Sequence, residues 1–130
     1  MTDRSGQRFY PGLAPIEAYG NGGFRFAGMS HRGSLLILPS GMHAWPPATP
    51  AEAGLDAFAL AFAEAPAIRI LLFGTGDRQI FPAADIRNAF AARSIPLEVM
   101  DTGAAVRTYN VLLAERRAVA AALIATGGPT

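Results

Sequence analysis

Cysteine is absent from this 130-residue chain, and so is lysine. The first absence removes disulfides, thiolate metal sites and cysteine nucleophiles. The second leaves arginine as the only strongly basic side chain. The eleven arginines are scattered through a chain rich in Ala and Gly, so they read as compositional bias and not as a patch built for bidentate anion contacts. Charge is thin as well. Only 16% of residues are charged and the net charge is +1, which gives no bulk electrostatic grip on nucleic acid. Long apolar runs are missing: the longest, residues 118–125, has the length of a buried strand and falls far short of a membrane span. The first ten residues lack the apolar segment of a signal peptide. These features predict a cytoplasmic protein without a transmembrane segment. Histidine is scarce, and neither His31 nor His43 has a carboxylate at ligand spacing, so no metal site is expected. Ser34 and Ser40 lack the strand–turn–helix motif of a nucleophile elbow.

What is present is apolar. A hydrophobic share of 51% is enough for a core, and the length suits one domain. The boundaries expected are a mobile tail over 1–8, a single domain over 9–125 and a frayed end over 126–130.

Along the chain, residues 16–19 can form a short strand, and Gly20-Asn21-Gly22-Gly23 a turn. Phe24-Arg25-Phe26 alternates as a half-buried strand does. Ser30-His31-Arg32-Gly33 reads as a turn leading into the apolar strand 34–38, the two strands forming a β-hairpin. Residues 42–45 suit another short strand. Thr49-Pro50-Ala51-Glu52 has the composition of a capping box, predicting a helix to about Glu64 with Leu55, Phe58 and Phe62 on one stripe. The second half reads strand 68–73, helix from Pro82 with Ile86, Ala89 and Phe90 inward, strand 97–100, helix to about Arg116, and strand 118–124. Strands 68–73 and 97–100, joined through a helix, should be parallel with a right-handed crossover. The whole predicts an α/β domain with a central mixed β-sheet, an N-terminal β-hairpin and a C-terminal βαβαβ unit.

Chemistry-bearing motifs are few. Gly74-Thr75-Gly76 follows a buried strand, where phosphate-binding turns occur, but Gln79 stands where the dinucleotide fingerprint needs its third glycine. Asp101-Thr102-Gly103-Ala104 matches the short signature of retroviral-type aspartic proteases. That chemistry needs a second aspartate and an all-β fold; here Asp101 or Thr102 reads as a helix cap. On the following helix, Ala105, Tyr109 and Leu112 share one stripe and Val106, Asn110 and Leu113 the next. Asn110 therefore sits among core positions, able to fasten a loop or to orient a ligand. Arg107 can face outward. If the two glycine turns meet at one sheet edge, Gly74, Thr75, Gly76, Thr102, Arg107 and Asn110 would line a shallow site for a small anion, without an evident nucleophile or base. Loop-to-loop hydrogen bonds filling that space are the alternative. Trp45 with Met42 could anchor a partner or cover the core.

Taken together, Ile16-x-x-Tyr19, Gly22-Gly23-Phe24-Arg25, Gly33-Ser34-Leu35-Leu36, Pro39-Ser40-Gly41, Leu71-Leu72-Phe73-Gly74-Thr75-Gly76 and above all the run from Met100 through Arg107-Thr108-Tyr109-Asn110 to Leu112 resemble one family. It is the small-domain family that includes the mitochondrial respiratory complex I assembly factor and the adipogenesis-associated domain protein. The resemblance covers residues 9–125. It implies a three-layer α/β fold and no established enzymatic activity, and the family's mitochondrial members act with partner proteins at the inner membrane. For this chain, protein partners, peripheral membrane association and no cofactor are expected. The resemblance also implies that a Cys often precedes the Arg of the motif, where this chain has Val106, and that a helix-ending glycine is replaced by Arg116. Arg116 is therefore expected in a left-handed conformation. The function expected is a non-enzymatic protein-binding or assembly-factor-like domain; the competing expectation is a small-molecule or anion-binding enzyme using the crevice.

Overall fold

The computed structural model describes residues 9–127. The tail over 1–8 and the last residues, 128–130, lie outside the described residues. Thr126, still inside them, accepts a hydrogen bond from the Gly22 amide at 2.8 Å.

Nine strands form two sheets. The large sheet contains β1 (Phe9–Tyr10), β5 (Ser34–Leu38), β6 (Gly41–Trp45), β7 (Ile70–Gly74), β8 (Leu97–Met100) and β9 (Val119–Leu123), in the order β1-β6-β5-β9-β7-β8. Pairing is antiparallel from β1 to β9 and parallel among β9, β7 and β8, so the sheet is mixed as expected. The small antiparallel sheet is β2 (Ile16–Gly20), β3 (Gly23–Phe26) and β4 (Met29–Arg32).

The N-terminal hairpin exists, but with different partners. Phe24–Phe26 pairs with residues on both sides of it, 16–20 and 29–32, and not with 34–38. The turn between β3 and β4 is Ala27-Gly28, both at positive φ, as a two-residue hairpin turn requires. Ser30, His31 and Arg32 therefore belong to a strand, and Gly33, at φ +93, carries the chain from the small sheet to the large one.

The interior strands β5, β9 and β7 are buried on both faces, and their side chains alternate between two cores. Leu36, Leu38, Leu71, Phe73, Ala120 and Ala122 face one core, which is covered by α2 (Ala84–Ala92) and the segment around α1 (Ala59–Ala63). Leu35, Ile37, Leu72, Ala121 and Leu123 face the other, covered by α3 (Thr102–Ala114) and the small sheet. Three layers result. The topology accounts for the opposite placement of α2 and α3: the chain moves from β7 outward to β8, then back across β7 to β9, and crossovers of one hand in opposite directions put their helices on opposite faces.

The long helix expected over 49–64 is broken. Short 3-10 turns at Pro50–Glu52 and Leu55–Phe58 precede a five-residue α1. Ala53-Gly54 interrupts the run, and the Glu52 carboxylate accepts from the Ala48 amide at 2.7 Å, so no capping box closes on Thr49. Trp45 lies in the core: it is 4% exposed, its indole N–H donates to the Ala57 carbonyl at 2.7 Å, and its ring packs on Phe58 and Phe73. Met42 is buried as well, so these two residues do not form a surface anchor.

Both long helices end alike. In α3 the Arg117 amide donates to the Leu112 carbonyl and the Arg116 amide to Leu113, with Arg116 at φ +60. In α2, Ile95 and Ser94 make the same pair of bonds to Phe90 and Ala91, with Ser94 at φ +58. These are Schellman endings that carry a Cβ where glycine is usual.

Candidate functional site

The carboxyl ends of β7, β8 and β9 meet at one edge of the sheet, where open α/β sheets form clefts. Here the polar atoms of that edge engage one another. Thr102, 0% exposed, donates its hydroxyl to the Ile124 carbonyl at 2.7 Å and accepts from the Gly76 amide at 2.9 Å. Its own amide donates to the Gly76 carbonyl at 2.8 Å. Gly74 permits the contact: a Cβ there would stand 3.0 Å from Thr102 Cα and 3.1 Å from Ala105 Cβ. Gly74, Thr75, Gly76 and Thr102 are thus brought together and buried. An anion entering between them would have to break these bonds. Asp101 caps α3, its Oδ1 accepting from the Ala104 amide at 2.8 Å, which is the capping reading of the Asp-Thr-Gly triplet and leaves no protease geometry.

The other two expected site residues are not part of this junction: Asn110 engages Ile16 and Arg107 is exposed. Asn110 lies eight residues beyond Thr102, about 12 Å along the helix axis. Its side chain forms a two-bond clasp on Ile16, accepting from the amide at 2.8 Å and donating to the carbonyl at 2.9 Å. Neighbouring Tyr109, fully buried, donates its hydroxyl to the Ala14 carbonyl at 2.9 Å, and burial pushes its pKa up. The Thr108 hydroxyl contacts the Met100 sulfur, and Val106 fills the core. Arg107 is exposed. The Arg-Thr-Tyr-Asn segment therefore fastens the incoming N-terminal strand to α3 across more than ninety residues of sequence.

Sequence reasoning missed one polar cluster. Glu64 accepts from both the amide (2.9 Å) and the hydroxyl (2.5 Å) of Ser40, and that hydroxyl also meets His43 Nε2 at 2.9 Å. With the serine proton directed at Glu64, the imidazole is not placed as the acceptor of a nucleophile's proton, so the trio is a clasp on the β5–β6 turn. Burial lowers the His43 pKa, partly opposed by the Glu64 charge. Among the described residues no cluster could hold a metal ion, and no buried side-chain polar atom lacks a hydrogen bond.

The open feature lies beside β8. Thr75, though buried, directs its hydroxyl to the Arg78 carbonyl at 2.6 Å and accepts from the Ile80 amide at 3.0 Å, which folds the loop after β7. That loop displays Ile80, 42% exposed, and Phe81, 65% exposed. Between the loop, α2 and β8 runs a groove of about 640 Å³, lined by Phe81, Arg87, Ala91, Ser94, Leu97 and Val99 among others. The sequence contained a hint of it in Ile80-Phe81, two large apolar residues in a loop just before Pro82, where no core strand or helix claims them.

The profile of a family described as "Protein of unknown function (DUF498/DUF598)" matches residues 16–124. An uncharacterised protein of Rhodobacter capsulatus is 37% identical over 119 residues, 92% of this chain and 90% of its own length. The human protein named NADH dehydrogenase [ubiquinone] 1 alpha subcomplex assembly factor 3 is 34% identical over 115 residues. That match takes 88% of this chain but 62% of the human protein, so the chain spans about three-fifths of its length. Among solved structures, one described as an outer membrane protein from Bartonella henselae superposes with a TM-score of 0.87 at 47% identity, covering 90% of this chain and 98% of that one.

Proposed function

The chain belongs to the DUF498/DUF598 family, and from that premise we propose that it is a non-enzymatic, assembly-factor-like protein-binding domain. It works from the cytoplasm on the biogenesis of a membrane complex such as respiratory complex I, with peripheral contact to the membrane. No helix among the described residues is long and apolar enough to cross a membrane. The observation that carries the reading is Phe81, 65% exposed beside an apolar groove, in a loop whose fold is fixed from within by Thr75. An exposed aromatic side chain beside an apolar groove is the composition of an interface centre. The assembly-factor name of the human relative supports the same class of role.

An enzyme would need a concave site with a nucleophile, a base or charge-stabilising donors turned toward the substrate space. The residues first considered for that, Gly74, Thr75, Gly76, Thr102, Arg107 and Asn110, are better supported as architecture, four in one bonded junction, Asn110 on Ile16 and Arg107 on the surface. Two measurements test the reading. Tagged wild-type protein recovered from its host should carry subunits of a membrane complex that Phe81→Asp loses and Arg107→Glu keeps. Phosphate, sulfate and nucleotide titrations should leave the amides of Thr75 and Thr102 unmoved. Equal recovery with Phe81→Asp, or clear shifts at those amides, would return the site to the crevice.

A further inference from the structure

We infer that the outer edge of β8 takes an extended segment of another protein as a seventh strand of the large sheet, with an apolar side chain of that segment in the groove beside Phe81 and a carboxylate against Arg87. This rests on the protein-binding reading and names its mode of recognition. Among the described residues β8 is an edge strand, paired with β7 alone. The β7 amides of Leu71 and of Thr75, just beyond its end, donate to the carbonyls of Pro96 and Met100, so Pro96, Glu98 and Met100 turn their backbone inward. By alternation Leu97 and Val99 turn theirs outward. The Val99 carbonyl is met at 2.9 Å by the side-chain amide of Gln79, a solvent-exposed bond. The N–H and C=O of Leu97 and the N–H of Val99 present the pattern that strand addition reads. Gln79 occupies the place of an incoming backbone donor, which makes it an exchangeable cover for the edge.

The chemistry of the occupant follows from the two faces. Leu97 and Val99 direct their side chains toward the α2 side, so alternate residues of an added strand would fall into the groove. There they meet Phe81, Ala91 and Arg87. Among the described residues the ion pair present is Arg117 with Glu115, so Arg87 has no carboxylate partner of its own. Exposed Glu98 borders the groove as well, but by alternation its side chain belongs to the other face, so the intervening residues would lie near it and a basic or neutral side chain fits there. A second copy of this chain fits less well: antiparallel pairing of two β8 edges through Leu97 and Val99 sets Glu98 opposite Glu98, and like charges directly opposed are unfavourable. The residues before Phe9 are polar after Met1, and the chain joins the sheet at β1, the opposite edge from β8.

The test uses the full chain and blocked heptapeptides with leucine, phenylalanine and aspartate on one face and threonine and lysine on the other. Controls are a peptide with lysine in place of the aspartate and one with prolines at the strand-bonding positions. Amide NMR with hydrogen exchange is the readout. Binding of the aspartate peptide should shift the Leu97 and Val99 amides and slow their exchange by at least about tenfold. The proline peptide should not bind. Arg87→Glu should weaken the aspartate peptide by about tenfold and transfer preference to the lysine peptide. Gln79→Ala, on an exposed residue that leaves the β7–β8 ladder intact, should tighten binding several-fold by uncovering Val99. Shifts limited to Phe81 and α2, with Leu97 and Val99 exchanging as before, would overturn strand addition. So would protection of those amides by self-association without peptide, or no binding by any peptide. If all peptides fail while the partner recovered from the host is still lost on Phe81→Asp, the mode is wrong and the protein-binding reading stands.

Discussion

Replacing Thr102 by Val should cost a large share of the protein's stability, because one hydroxyl closes the junction of three strand ends. Valine keeps the shape of the side chain and removes only its hydrogen bonds. The Gly76 amide loses its acceptor at 2.9 Å and the Ile124 carbonyl its donor at 2.7 Å, both inside the fold. The backbone bond from Thr102 to Gly76 remains, so no rearrangement relieves either group. Leaving a buried polar group unpaired costs about 1–3 kcal/mol, so the pair should lose about 2–6 kcal/mol. Against a typical total of about 5–15 kcal/mol this is a severe change. Thr102→Ser keeps the hydroxyl and should lose about 1 kcal/mol for the missing methyl. Urea unfolding, followed by fluorescence of the single buried tryptophan, Trp45, measures both. The midpoint should fall with the slope unchanged, much further for Val than for Ser. If Thr102→Val unfolds within about 0.5 kcal/mol of wild type, water reaches those groups, and the junction is an open crevice after all.

Asn110→Ala removes both ties to Ile16 and should cost about 2 kcal/mol, seen as a lowered melting point and early loss of exchange protection at the Ile16 amide; an unchanged Ile16 amide would mean that β2 is held by other contacts. Arg116→Gly relieves a left-handed residue with a Cβ and should stabilise by about 1 kcal/mol, raising the melting temperature by about 2–4 °C; a lower melting point would contradict the Schellman reading of the helix end. His43 titrates below its ordinary value of 6.5 because burial disfavours its charged form. Between that lowered pKa and 6.5 the unfolded chain binds the extra proton, so this contribution to stability is full above 6.5 and is lost as pH falls through the folded value. In His43→Gln the acid-side slope should shrink, and an identical pH profile would assign the slope to other groups.

Much of the fold is legible in the sequence where periodicity and punctuation agree. The strand 97–100 and the cap at Asp101 are read from local chemistry and the left-handed turn at Arg116 from the family resemblance, and the structure has each of them. The hairpin partner of Phe24–Phe26 is hidden because its turn places Ala27, at φ +51, where glycine or asparagine would have announced it. The long helix over 49–64 fails because a strong start at Pro50 is undone within one turn by Ala53-Gly54. The site was half visible. Two glycine turns at one sheet edge follow from βαβ logic, but the partner of the Thr102 hydroxyl, the Ile124 carbonyl, is a tertiary fact, and the Thr75 bond to the Arg78 carbonyl depends on how the loop after β7 folds. The exposed Ile80-Phe81 pair leaves a local trace, but the free edge of β8 depends on strand order, which local pattern does not contain.

The most direct measurement is site-specific photocrosslinking in the host cell. A crosslinking side chain is placed at exposed Phe81 in one strain and at exposed Arg107 in another. The expected result is a defined adduct with a subunit or precursor of a membrane complex from position 81, and none from position 107. Adducts from position 107 alone would contradict the assignment of the Phe81 groove as the working surface.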